Sequence, residues 1–181
     1  MAGGAPDAQN FVIVFEFNRH NAPYYMEFKV WRLKLKFKAM SDSLFQHRRR
    51  VVYADCTVGN HVYYSRYLDM LEEARGELFR QAGWPLAALQ DNGTAFPVIA
   101  AQIAFKGAAR YDDLLTIELW ITQLSGVRLN FAFRIRHPAG AVLAEGETRH
   151  VCAGLDEKPK RPPKGLNEGL APFMRPSSDA Q

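Results

Sequence analysis

The sequence has only two cysteines, Cys56 and Cys152, far apart in a chain of 181 residues. Such a pair builds neither a disulfide framework nor a zinc site, and both read as reduced thiols of a cytoplasmic protein. Long apolar runs are missing too. Phe11–Phe17, F-V-I-V-F-E-F, is too short to span a bilayer. It also lacks the positively charged leader and small-residue cleavage site of a signal peptide. No stable membrane insertion is expected. Charge is not concentrated: the net value is +4, and the basic residues are scattered among strands and tails. No nucleic-acid motif accompanies them, so nucleic acid is not expected as a partner. Internal repeats are absent.

What is present is a chain 48% apolar, enough for a real core, at a length that suggests one domain or one domain with an appendage. Its organising stretch is Val51–Arg75, V-V-Y-A-D-C-T-V-G-N-H-V-Y-Y-S-R-Y-L-D-M-L-E-E-A-R. It begins as a strand, breaks at Gly59-Asn60 and continues as a helix expected from about Asn60 to Gln81. Tyr64, Tyr67, Leu68, Leu71, Ala74 and Leu78 fall at the spacing of one buried helical face. Gly83 and Pro85 close the helix.

Upstream, Met1–Asn10 is rich in Gly, Ala and Pro and reads as disordered. Tyr25–Lys38 alternates apolar and basic residues and reads as a strand. Met40-Ser41-Asp42 reads as a natural start, so residues 1–39 are set apart as an extension with no function assigned. The domain is expected over residues 40–165, with 166–181 a disordered tail. Strands are expected at His47–Ala54, Phe96–Lys106, Leu114–Leu124, Val127–His137 and Val142–Ala153, and a short helical turn at Leu86–Asn92. Ser125-Gly126 and Pro138-Ala139-Gly140 join the later strands as hairpins. A long helix followed by an antiparallel meander is an α+β arrangement, the sheet covering the apolar helix face.

Polar groups gather at the break: Asp55, Thr57, Asn60 and His61. A helix start there would aim the backbone N–H groups near His61 and Val62 at a carbonyl. His61 is a proton-transfer candidate or simply a capping residue. Asp55 is either a carboxylate base or a backbone anchor; in an extended strand it shares a side with Thr57. Thr57 orients water. Asn60 holds a carbonyl oxygen or caps the helix. Asp69, about two turns into the helix, lies near the same side as Asn60 and His61. Glu73 reads better as solvated, and Asp112-Asp113 as a turn. Tyr63, Tyr64 and Tyr67 suit an aromatic-lined pocket or core packing. Cys56 faces away from Asp55 and Thr57 in an alternating strand and reads as structural.

The same stretch resembles the signature of hotdog-fold acyl-CoA thioesterases, the 4-hydroxybenzoyl-CoA thioesterase group and its Tol-Pal-associated relatives. Their pattern, Y-x-D-x-D-x-x-G-[HV]-V-[YN]-[YHN]-x-x-Y-L followed by E-x-A-R, is met by Tyr53, Asp55, His61, Val62, Tyr63, Tyr64, Tyr67, Leu68, Glu72, Ala74 and Arg75. Arg110–Leu114 resembles the family's A-x-Y-D-D-x-L turn, and Lys158–Pro162 its K-P-x-R-P. Thr57 stands where the family has its second, catalytic aspartate, and Gly59-Asn60 displaces its glycine.

The resemblance implies a hotdog fold, one long central helix wrapped by a curved antiparallel sheet. It implies hydrolysis of an acyl-CoA thioester to an acid and free CoA. No metal and no cofactor is required beyond the coenzyme A of the substrate. It further implies a homodimer or homotetramer in the cytoplasm. Asp55, His61, Thr57 and Asp69 become the catalytic candidates. Asn60, His61, Val62 and Tyr63 become the oxyanion and substrate-binding set. Lys158, Lys160 and Arg161 are candidates for the CoA phosphates by charge. Two alternatives stand beside this. One is a non-catalytic acyl-thioester-binding hotdog protein, favoured by Thr57. The other is an acyl carrier protein thioesterase, disfavoured because Gly59, Tyr63 and Tyr64 replace that branch's asparagines.

Overall fold

The computed structural model describes residues 12–16, 28–30 and 44–175. Expectations for Met1–Asn10, the boundary at Met40 and residues 176–181 lie outside them. Five antiparallel strands make the body of the sheet: β3 (Phe45–Arg50), β6 (Val98–Phe105), β7 (Leu114–Ser125), β8 (Arg128–Arg136) and β9 (Val142–Val151). Two short N-terminal strands, β1 (Val12–Glu16) and β2 (Phe28–Val30), extend it, giving the order β2-β1-β6-β9-β8-β7-β3. β1 runs antiparallel along β6, from Val12 opposite Ala104 to Glu16 opposite Ala100.

Alternation in β7 and β8 decides which face is covered. Leu115, Ile117, Leu119 and Ile121 point to one side with Leu129, Phe131, Phe133 and Ile135, and all are essentially inaccessible. Against them lies α1 (Arg66–Gln81), through Met70, Leu71, Ala74 and Leu78. Each buried Leu, Ile, Phe or Met among them contributes about 1.5–3 kcal/mol. This is the expected helix-on-sheet core. Met70 and Phe79 join it beyond the positions the spacing marked, whereas Tyr64 lies before the helix and is half exposed.

Two boundaries differ from expectation. The helix starts at Arg66, six residues later than Asn60. Cys56–Thr57 (β4) and His61–Val62 (β5) instead pair as a small hairpin, Cys56 opposite Val62 and Thr57 opposite His61. Gly59 (φ 89°) and Asn60 (φ 55°) make its turn in the left-handed region that glycine and asparagine tolerate. The first core strand also stops early: Tyr53–Asp55 is a 3-10 turn.

Residues 166–175, expected within a disordered tail, are folded. Leu166 and Leu170 of the short helix α3 (Leu166–Leu170) are fully buried. Arg175 N–H donates to the Ile121 carbonyl at 2.8 Å. The helical turn expected after α1 is α2 (Leu86–Asp91).

Candidate active site

The β4–β5 hairpin is fastened to the loop that follows β6. Val62 N–H donates to the Ala109 carbonyl at 2.9 Å. Tyr111 N–H donates to Asn60 Oδ1 at 3.3 Å, and Arg110 Nη1 to the Asn60 carbonyl at 3.4 Å. From the helix side, Tyr67 accepts the Ala109 N–H at 3.2 Å. Asp113 shapes the loop by accepting the Arg110 N–H at 2.8 Å, and its neighbour Asp112 pairs with Arg50. The Asp112-Asp113 pair is therefore part of a turn.

Between hairpin, helix start and loop opens a cleft of about 440 Å³. Thr57, His61, Val62, Tyr63, Tyr64 and Tyr67 line it, together with Phe105, Gly107 and Ala108 of the loop side. Thr57 and His61 are direct cross-strand partners, so their side chains share a face. The lining contains no carboxylate.

Asp55 is elsewhere. Its carboxylate accepts from Arg49 Nη1 and Nη2, at 2.8 and 3.1 Å, and from the Val52 N–H at 2.9 Å. Burial pushes this carboxyl up. The Arg49 and Val52 hydrogen bonds, with the Arg49 and Arg66 charges, overcome that and leave it below the usual carboxylate range. The turn at Tyr53–Asp55 breaks the alternation that would have put Asp55 beside Thr57. Arg49 also reaches Glu73, at 2.9 Å, and His47 meets the same Glu73 at 2.9 Å. Glu73 thus ties helix to strand.

Asp69 pairs with Arg66 at 3.0 Å on an exposed face and is not among the cleft residues. Its expected alignment with His61 assumed one continuous helix, and the hairpin removes that continuity. The same shift changes the polarising groups. Val62 and Tyr63 N–H are both spent, the latter on the Asp55 carbonyl at 2.9 Å. Among the described residues, Tyr64 N–H, in the turn entering α1, meets no backbone carbonyl.

Lys158, Lys160 and Arg161 lie beyond the far end of β9. Leu143, at its near end, bonds Lys106 and Gly107 beside the cleft; Cys152, past its far end, accepts the Lys160 N–H. At about 3.3 Å per residue these ends are about 30 Å apart. Lys160 Nζ donates to the Gly93 carbonyl at 3.1 Å, so this segment is anchored. Sequence reasoning missed Arg49, Phe105, Gly107 and Ala108. Arg49 was legible in β3, where Phe45, His47 and Arg49 alternate inward.

Among the described residues, no three His, Cys, Asp or Glu side chains cluster to hold a metal ion. Both cysteines are free.

Comparison with known proteins places the chain. The family model described as the thioesterase-like superfamily matches residues 51–170. The acyl-CoA thioester hydrolase YbgC of Escherichia coli O6:H1 is 34% identical over 128 residues, covering 70% of this chain and 96% of that protein. The 1,4-dihydroxy-2-naphthoyl-CoA hydrolase of Synechocystis is 32% identical over 120 residues, 65% of this chain and 87% of that one. Among solved structures, Slr0204, a 1,4-dihydroxy-2-naphthoyl-CoA thioesterase from Synechocystis, superposes with a TM-score of 0.66. It has 28% identity and covers 70% of this chain and 95% of that one. TT1821 from Thermus thermophilus gives 0.67 at 30% identity, over 71% and 98%. Fold, hairpin, cleft and sequence kinship agree: the chain belongs to the thioesterase-like superfamily and is a hotdog-fold thioester hydrolase.

Proposed function

We infer that the cleft is where this hydrolase cleaves acyl-CoA, with His61 as the proton-transfer group and Thr57 orienting water. The observation that carries this is the Thr57–His61 cross-strand pair in a cleft lined by no carboxylate. Imidazole exchanges protons near neutral pH, which a threonine hydroxyl does not. Water held by Thr57 gives a proton to the His61 imidazole as its oxygen bonds the thioester carbon. The carbonyl electrons move onto oxygen, where Tyr64 N–H at the helix entry stabilises them. Collapse of this intermediate re-forms the carbonyl and breaks the C–S bond. The CoA sulfur leaves with the electron pair and takes the proton from imidazolium.

Asp55 acts on this site through structure. Held by Arg49, it fixes the turn from which β4 departs, and its carbonyl anchors Tyr63. Asn60 positions the hairpin against Tyr111. The aromatic lining suits an acyl group placed flat against tyrosine rings.

The assembly we propose is a homodimer or homotetramer. Its support is the exposed aromatic and aliphatic surface around the cleft: Tyr53, Val58 and Tyr111 with Tyr63 and Tyr64. β1 already runs along β6, so the contact is read from this surface and not from that edge. A second copy would also offer its own Lys158, Lys160 and Arg161 to CoA phosphates that this chain's cannot reach. The free cysteines fit a reducing cytoplasm. Thiol release from a panel of acyl-CoAs by purified protein tests the activity; binding of acyl-CoA without release would favour a non-catalytic binding protein.

A further inference from the structure

Tyr67 has a hydroxyl proton with nowhere visible to go. The side chain is only 2% exposed, its ring packed edge-on against Phe105 at 5.3 Å. Its oxygen accepts the Ala109 N–H at 3.2 Å. A phenol is donor as well as acceptor. Among the described residues no acceptor meets the Tyr67 O–H. Yet Tyr67 lines the cleft, beside Val62 and Ala108, whose neighbour Ala109 binds it. A buried hydroxyl that accepts but meets no protein acceptor keeps a donor available to a ligand or a water in the cleft.

We propose that Tyr67 O–H is a side-chain donor to the thioester carbonyl oxygen, completing an oxyanion site with the backbone N–H of Tyr64. Three observations make it suited to this. Val62 N–H, one of the backbone donors that the sequence pointed to, is already bonded to Ala109, and Tyr63 N–H to Asp55. The Ala109 N–H on the Tyr67 oxygen orients the phenol without using its proton. It also begins a chain, since the Ala109 carbonyl in turn binds Val62 N–H in the strand that carries His61. Burial pushes the Tyr67 phenol up; Ala109 N–H pulls the other way, and the Asp113 and Cys56 charges add to the upward push. The hydroxyl therefore keeps its proton at neutral pH.

The inference rests on the thioesterase reading for the identity of the acceptor, and its test separates the two. Tyr67→Phe keeps the ring and removes the hydroxyl. With an active acyl-CoA, kcat falls about 10²–10³-fold, the usual loss for one oxyanion donor. Affinity for a CoA thioether analogue, which has no carbonyl, is unchanged, while the melting temperature falls because the buried Ala109 N–H loses its acceptor. The second readout needs no turnover: the infrared carbonyl stretch of a bound ¹³C-labelled ketone analogue, with CH₂ in place of the thioester sulfur. In the wild type it is lowered on binding, and Tyr67→Phe removes part of that shift. If Tyr67→Phe does not fold, 3,5-difluorotyrosine at this position, a stronger donor, lowers the stretch further. Wild-type kcat in Tyr67→Phe, or a carbonyl stretch indifferent to both replacements, overturns the proposal. So does a loss of thioether affinity as large as the loss of kcat, which would mark a purely structural hydroxyl. A wild type that hydrolyses no acyl-CoA but shows the Tyr67-dependent carbonyl shift defeats the thioesterase reading and leaves this one standing.

Discussion

Arg49 grips Asp55 through its two terminal guanidinium nitrogens, at 2.8 and 3.1 Å, and turns the most conspicuous carboxylate of the sequence motif away from the cleft. Asp55 itself is buried, only 5% exposed, and Arg49 covers it from a half-buried position. An acceptor so occupied is a poor proton acceptor, since taking a proton would break its hold on Arg49 and Val52.

Asp55→Asn is therefore expected to act on stability. Losing the charge-assisted bonds costs about 1.5–3 kcal/mol, read as a lower urea midpoint at unchanged slope. Turnover of the folded fraction should stay near that of the parent. A variant with unchanged stability and a rate lower by about 10²-fold or more would instead make Asp55 the base.

Acid sensitivity follows from two buried groups. His150 Nδ1–H donates to the Phe96 carbonyl at 3.1 Å, and its Nε2 pairs with Thr148 Oγ1 at 3.0 Å. Burial, helped by the Arg75 charge and opposed by the Phe96 hydrogen bond, pulls it from 6.5 to about 3. The unfolded chain then binds the proton that the folded one refuses. Stability is fully present above the unfolded value and is lost as pH falls from about 6.5 towards 3, by up to about 1.4 kcal/mol per unit. Asp55 has the same sign, lower on the scale: its lowered value stabilises the fold above the ordinary carboxylate range and that stabilisation fades on acidification. Urea midpoints measured across this window should fall with pH, and His150→Gln should flatten the upper part. An unchanged slope in that variant would remove His150 from the account.

Much of this architecture was legible. The period of Tyr67, Leu71, Ala74 and Leu78 marked α1, and the turns at Gly126 and Gly140 marked the meander, because hydrophobic spacing and turn chemistry are local properties. The strand-to-helix break was misplaced because Gly59-Asn60 is equally the turn of a hairpin, and only Thr57 opposite His61 distinguishes the two. That error carried Asp69 towards the site and credited the backbone near His61 and Val62 with free N–H groups, of which Val62's is bonded to Ala109. Arg49 and Tyr67 gain their roles from partners 6 and 42 residues away: alternation in β3 turns Arg49 inward, but no local pattern names Asp55 or Ala109 as the partner.

Self-association is the third expectation. Tyr53 is 83% exposed and Val58 93%, and both flank the cleft with Tyr111. Light scattering of the full chain at micromolar concentration should give a dimer or tetramer, and Val58→Asp with Tyr53→Ser should shift it towards monomer. A monodisperse monomer of the parent chain would contradict the proposed assembly.

The most direct test of the account is the turnover of His61→Ala on whichever acyl-CoA the parent protein cleaves. His61 is exposed at the end of a hairpin, and Gly59 and Asn60 can hold that turn without it. The expected result is an unchanged melting temperature with thiol release slower by about 10²–10⁴-fold, the range for a positioned acid/base group. Parental turnover in His61→Ala would contradict it, for then the proton leaves water by another route.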